Sequence, residues 1–132
     1  MINDIVKKMS LSEDFYSLTG ASIEEIKSAE IALNLEFAEE YKSYLMAYGV
    51  ASVDSHEFTG ILSSERLHVV HNTIEERKNN ELVAENLYVV EQLNIDHVII
   101  WQSQTGEIYQ TIGKTPATRI CQSLSEYLDW SK

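Results

Sequence analysis

The strongest constraint on the fold is the spacing of apolar and aromatic residues between positions 21 and 49. Phe37, Tyr41, Tyr44, Leu45 and Tyr48 recur at i, i+4, i+7, i+8 and i+11, which puts all five on one side of a helix. Gly49 follows, where a left-handed residue ends such a helix. Upstream, Ser22 and Glu25 make a capping-box pattern, in which the hydroxyl takes a free first-turn amide and the carboxylate reaches back to the Ser22 amide. Ile23, Ile26, Ala29 and Leu33 then share one helical side. The pattern predicts two short amphipathic helices, with Val50 to Gly60 as an extended entry into a sheet.

Before this pair, Asn3 is placed to cap a short helix from Asp4 to about Met9, and Leu11 to Gly20 reads as a loop anchored by Phe15 and Tyr16. After it, the loose alternation of His56, Phe58 and Ile61 predicts an edge strand, and Leu67 to Val70 a second short one. Asn72 is the expected cap of a helix over Thr73 to Lys78, with Glu75 and Glu76 early and Arg77 and Lys78 late, the polarity that a helix dipole favours. Three strands are expected at Leu87 to Gln92, His97 to Gln102 and Glu107 to Ile112, the last two joined by the turn Ser103 to Gly106. His97, Ile99 and Trp101 point one way and Val98, Ile100 and Gln102 the other, so the middle strand has apolar groups on both faces and is expected to be covered on both. Ser123 and Glu126 form a second capping-box pattern ahead of Leu124, Tyr127 and Leu128. The expected class is α+β, a mostly antiparallel sheet with helices from both ends of the chain packed on it.

At 132 residues the chain reads as one domain, residues 1–132, able to bury a single core without staples. No apolar run approaches the ~18 residues that a bilayer crossing needs, and the lysines near the N-terminus have no apolar segment behind them, so no signal peptide is expected. Cys121 is the sole cysteine, and in Ile-Cys-Gln-Ser-Leu it reads as a small packed side chain. A cytoplasmic protein is the expectation. Ten basic against 21 acidic side chains leave a formal charge of −11, which repels nucleic acid and anionic membranes and steers basic partners inward. Residues 21–57 alone, with eight acidic and two basic side chains, carry −6 of it.

The order of these features resembles the SUKH superfamily, the Smi–Knr fold known mostly from bacterial toxin-immunity proteins. In that family a helix with a Glu leads to a leucine–glycine pair, then a proline, an acidic residue, a tyrosine, an apolar stripe and Asn-Gly. The matching positions are Glu30, Leu33, Glu39, Glu40, Tyr41, Tyr44, Leu45 and Gly49. Ser55 to Ile61 (SHEFTGI) is similar to a Ser-His-Glu-Leu-Thr-Gly segment of some members, Ile99 to Gln110 to the family's central hairpin, and Ile120 to Trp130 to its closing helix. The likeness spans roughly residues 20 to 130. Asn34 stands where Gly is usual, Phe37-Ala38 where Pro is common, and Tyr48 where Asn precedes Gly49.

No catalytic pattern emerges from the residues. His68 and His71 make an H-x-x-H spacing, but across a strand-to-helix boundary that does not present two rings together, and HExxH is absent. There is no G-x-S-x-G elbow, and the five glycines are isolated, so no phosphate cradle is expected. The acid pairs Glu24-Glu25, Glu39-Glu40 and Glu75-Glu76 read as solvated helix faces. Glu30 lies on the apolar side of its helix, where its carboxylate is expected to bond backbone amides or a tyrosine at the helix–sheet junction. Trp101 and Tyr109 on neighbouring strands, with Asp54 and Glu57 nearby, are the candidate acidic and aromatic patch. The alternative is that both aromatics are simply core.

The resemblance implies a non-enzymatic immunity protein that captures a cognate toxin, such as a nuclease or another polymorphic-toxin domain, and covers its active site. Asp54, Glu57, Glu81, Glu85 and Glu91 are the expected electrostatic contacts and Tyr109 the expected anchor, with no cofactor, metal, nucleic acid or membrane. The chain is expected to be a monomer or weak dimer. The other reading is a regulatory scaffold of the same fold that binds an endogenous protein. An enzyme using Glu39 and Glu40 ranks third.

Overall fold

A computed structural model describes residues 4–93 and 95–130. The order is α1 (Asp4–Ser10), β1 (Phe15–Ser17), α2 (Ile23–Leu33), α3 (Glu39–Tyr48), β2 (Ala51–Val53), β3 (His56–Glu57), α4 (Val69–Asn79), β4 (Tyr88–Leu93), β5 (Val98–Gln102), β6 (Ile108–Ile112), β7 (Thr118–Cys121) and α5 (Leu124–Trp130). This is the α+β class expected, with two antiparallel sheets in the orders β1-β2-β3 and β4-β5-β6-β7. A single bridge from Phe58 to Glu91 and the bond from the Thr59 N–H to the Val90 carbonyl (2.9 Å) sew the sheets together.

Local chemistry explains the helical pair. The Ser22 hydroxyl accepts the Glu25 amide at 3.1 Å and Glu25 accepts the Ser22 amide at 2.9 Å, so the capping box is complete. Asn34 ends α2 at φ 55°, ψ 47°, a left-handed geometry that asparagine tolerates better than most residues. Ala38 offers α3 no side-chain cap, and the amides just before the helix are held by other elements. Glu30 accepts the Phe37 N–H at 2.8 Å and the Tyr88 hydroxyl accepts the Ala38 N–H at 2.9 Å. The tyrosine stripe is core: Tyr41, Tyr44 and Leu45 are fully buried beside Phe37 and Tyr88. Gly49 ends α3 at φ 69°, its N–H on the Leu45 carbonyl at 2.9 Å.

Several boundaries differ from the sequence reading. Phe15 and Tyr16 sit in β1 rather than in a loop. Phe15 stacks edge-on against Tyr48 while Tyr16 is exposed. The extended entry into the sheet is a tight hairpin, β2–β3, and Phe58 bridges onward to β4. Leu67 to Val70 is not a strand, because the His68 imidazole accepts the Val70 N–H and starts α4 a turn early. Asn72 therefore lies inside α4 and is buried, its amide donating to the carbonyls of Arg66 and His68. β7 was not expected. The helix cap expected at Asn3 falls outside the described residues.

The larger core joins α1, α2, α3 and α5 to one face of the β4–β7 sheet. The opposite face carries a second cluster of Val83, Leu87, Val89, Ile99 and Trp101, with Tyr109 packed at its edge. β5 is thus covered on both faces, as its composition predicts. No described helix is long and apolar enough to cross a membrane.

Candidate functional site

Helix α4 walls a cleft on the second face. Its inner side is fixed to the sheet edge by the Thr73 hydroxyl, which accepts the Val89 N–H at 3.0 Å, and by Gln92, which donates to the Asn72 side-chain oxygen. Its end is latched by buried Asn80, whose amide donates to the carbonyls of Gly113 (3.2 Å) and Thr115 (2.8 Å). Residues 72, 76 and 80 recur every four positions, so they share the face that looks into the cleft. The Asn72–Gln92 bond lies in the cleft. On one side of it is a cavity of about 370 Å³ bounded by Glu57, Arg66, His71 and Glu75. On the other is a cavity of about 770 Å³ between Glu76, Asn79 and Asn80 and a floor of Leu93, Ile99 and Trp101.

The larger cavity has distinct electrostatics. Burial pushes the Glu76 carboxyl above the usual carboxylate range, opposed by its hydrogen bond from Asn79. Asp96 and His97 line the same cavity from the β4–β5 loop, both at φ 54°. Non-glycine residues are uncommon in that region and hold it only where the surroundings impose it. The Gly113 N–H on the His97 carbonyl (3.1 Å) is one such restraint. Lys114 stands exposed on the rim. Trp101 is fully buried, its indole N–H on the Thr111 hydroxyl at 3.0 Å.

The candidate contact residues do not form one patch. Asp54 and Glu57 are exposed on the β2–β3 hairpin, Asp54 at φ 50° accepting the Ser12 hydroxyl and Glu57 paired with Arg66. Glu57 borders the smaller cavity, while Glu81 and Glu85 are exposed beyond the far end of α4. Tyr109 is half-buried on the second face opposite Trp101, its hydroxyl donating to Glu107 at 3.0 Å. Glu91 is not a surface carboxylate. It is 2% exposed, accepts the Tyr127 hydroxyl at 2.6 Å, and has the His56 Nδ1 at 2.9 Å from both of its oxygens. Its place next to the Phe58 bridge turned it inward, which a residue expected at a strand end did not announce.

The acid pair Glu39-Glu40 also diverges. Glu39 is exposed and paired with Lys42, while Glu40 turns inward and accepts the Leu124 N–H at 2.5 Å and the Gln102 amide at 2.7 Å. Burial raises the Glu40 carboxyl above its ordinary range. Burial likewise raises the Cys121 thiol, which lowers its thiolate fraction and its nucleophilicity. Burial lowers the His68 imidazole, which is engaged in capping α4, whereas His71 faces Glu65. Among the described residues no three His, Cys, Asp or Glu side chains converge as a metal site.

Sequence reasoning missed the cleft because its walls are single residues from α4, β4, the β4–β5 loop and the β6–β7 loop. The one advance signal was the apolar pair Ile99 and Trp101 on the outward face of β5.

Comparison with known families matches residues 2–129 to the SUKH_5 family model, described as SMI1-KNR4 cell-wall. No curated protein matches the chain. The match takes in all of the helical pair, the two sheets and α5 up to Asp129, and the chain belongs to the SUKH (SMI1–KNR4) family.

Proposed function

We propose that this chain is a cytoplasmic immunity protein that binds a cognate polymorphic toxin and covers its active site. Family membership across residues 2–129 carries the reading, since SUKH proteins are typically non-catalytic immunity or regulatory proteins. Three physical features support it. The chain is strongly acidic, at −11, and attracts a basic catalytic cleft such as that of a nuclease. Exposed Asp54 and Glu57 on the β2–β3 hairpin and exposed Glu81 and Glu85 after α4 supply acidic groups, and Glu57 borders the smaller cavity. Half-buried Tyr109 offers an aromatic edge on that face. The mechanism is occlusion: complementary charge speeds encounter, and desolvated contacts slow release.

Co-expression with the protein encoded immediately upstream tests this. A complex that survives moderate salt and rescues cells from that partner's toxicity is the expected result. Asp54→Lys with Glu57→Lys then slows association if the hairpin contributes. No complex and no rescue sinks the cognate-toxin reading for that partner and leaves a regulatory scaffold for an endogenous protein.

A further inference from the structure

We propose that the larger cavity beside α4 receives a lysine or arginine side chain from a basic segment of the protein partner. This rests on the partner-binding reading above and names what one part of that surface takes. The cavity, about 770 Å³, has Leu93, Ile99 and Trp101 at its floor, and half-buried Leu93 with exposed Ile95 leaves apolar surface against which methylenes can pack. Its negative groups gather at one wall. Glu76 and Asp96 line it, and the carbonyl end of the eleven-residue α4 closes it at Asn79 and Asn80.

The local cations do not satisfy these groups. Lys78 is paired with Glu75, and Arg77 turns away to the carbonyls of Glu85 and Leu87. Among the described residues no Lys, Arg or His nitrogen lies within ion-pair distance of Glu76 or Asp96. Two groups of the lining oppose them: Lys114, exposed on the rim where it can move aside, and His97, which acts on Glu76 from the β4–β5 loop. A cationic head between Glu76 and Asp96 is therefore balanced, and its aliphatic stem covers the exposed parts of Leu93 and Ile95. The half-buried setting of Glu76, which already disfavours its ionised form, gives a bound cation more leverage than a fully solvated carboxylate would.

The test is titration of the full ¹⁵N-labelled chain at low salt with acetyl-Gly-Lys-Gly-amide and its arginine counterpart. Acetyl-Gly-norleucine-Gly-amide and acetyl-Gly-Glu-Gly-amide serve as controls. Saturable shifts are expected at the Trp101 indole and the Asn79 and Asn80 side-chain amides for the cationic peptides alone. Glu76→Gln with Asp96→Asn should weaken them about tenfold, and Lys114→Glu should strengthen them. Opposite directions from the two variants separate charge recognition from unfolding, which a melting curve checks. Shifts from norleucine alike, shifts from the glutamate peptide at Lys114 and His97, or no dependence on Glu76 and Asp96 would each overturn the inference. If the co-expressed partner is captured equally by wild type and Glu76→Gln/Asp96→Asn, the cavity is not its anchor and the immunity reading stands. If no partner is captured, the peptide titration still decides the cavity.

Discussion

His56 and Glu91 meet where the two sheets are sewn together, the imidazole Nδ1 2.9 Å from both carboxylate oxygens. Tyr127 from α5 completes the cluster through its hydroxyl on Glu91, and Phe58 stacks on the imidazole. One buried carboxylate thus ties β3, β4 and α5.

The hydrogen bond to Glu91 is the main cause that raises the His56 imidazole above 6.5, with burial opposing it and Asp54 adding a little. A raised folded value means that this stabilisation is whole below the unfolded value and fades as pH climbs through the folded one. Wild type should therefore lose melting temperature relative to His56→Gln on going from about pH 6 to about pH 9. A gap between the two proteins that stays constant over that range would show that folding leaves the imidazole's proton affinity unchanged.

Replacing Glu91 itself removes the acceptor of the Tyr127 hydroxyl and the carboxylate beside the His56 Nδ1. Glu91→Ala should cost about 3 kcal/mol in urea unfolding, near the lower end for a broken buried pair. Because the side chain is 2% exposed, Glu91→Ala should affect partner binding only through folding. Loss of binding by a fully folded variant would return Glu91 to the contact surface.

Glu40 holds the start of α5 by accepting the Leu124 amide. Glu40→Ala should cost about 2 kcal/mol, as a lost helix cap with a stranded donor. Hydrogen exchange would check it, with Leu124 and its neighbours opening first while the β5–β6 amides stay protected.

Thr59 is fixed from three directions. Its hydroxyl bonds the Tyr41 hydroxyl (2.9 Å) and the Val89 carbonyl (2.7 Å), and its carbonyl accepts the Tyr44 hydroxyl (2.8 Å). Thr59→Val should cost about 2 kcal/mol, and adding Tyr41→Phe should cost less than the sum, since one variant already removes what the other shares. Strict additivity in thermal unfolding would mean that the two hydroxyls are not coupled.

At Gly60 a Cβ would stand 1.8 Å from the Gly49 carbonyl oxygen. Both partners are backbone, so no side-chain rotation relieves the contact. Gly60→Ala should destabilise by about 3 kcal/mol or more, measured as a fall in the urea midpoint.

What could be read in advance follows periodicity and local bonding. The stripe Phe37 to Tyr48 and the Ser22–Glu25 pair declared α2 and α3, because helices are decided by neighbours within four residues. Glu30, on the apolar side of α2, was expected to bond backbone amides, and it accepts the Phe37 N–H seven residues on. His68 as a cap was hidden, since an imidazole is an unusual acceptor there and Asn72 offered a more familiar one. β7 was hidden because Thr118 and Arg119 are exposed and leave no alternation to read. The cleft and the inward turn of Glu91 depend on which strands become neighbours, and pairing across 35 residues leaves no local trace.

The seam at Phe58 to Gly60 also governs how the molecule comes apart. Thr59 draws bonds from α3 and β4, and Gly60 receives the Val69 amide at 2.8 Å and gives its own to Leu67 at 2.9 Å. Neither sheet can open along this line without exposing the other's core. Unfolding should accordingly be a single all-or-none event, and refolding should wait on a few distant encounters, more slowly than in a helical bundle of similar length.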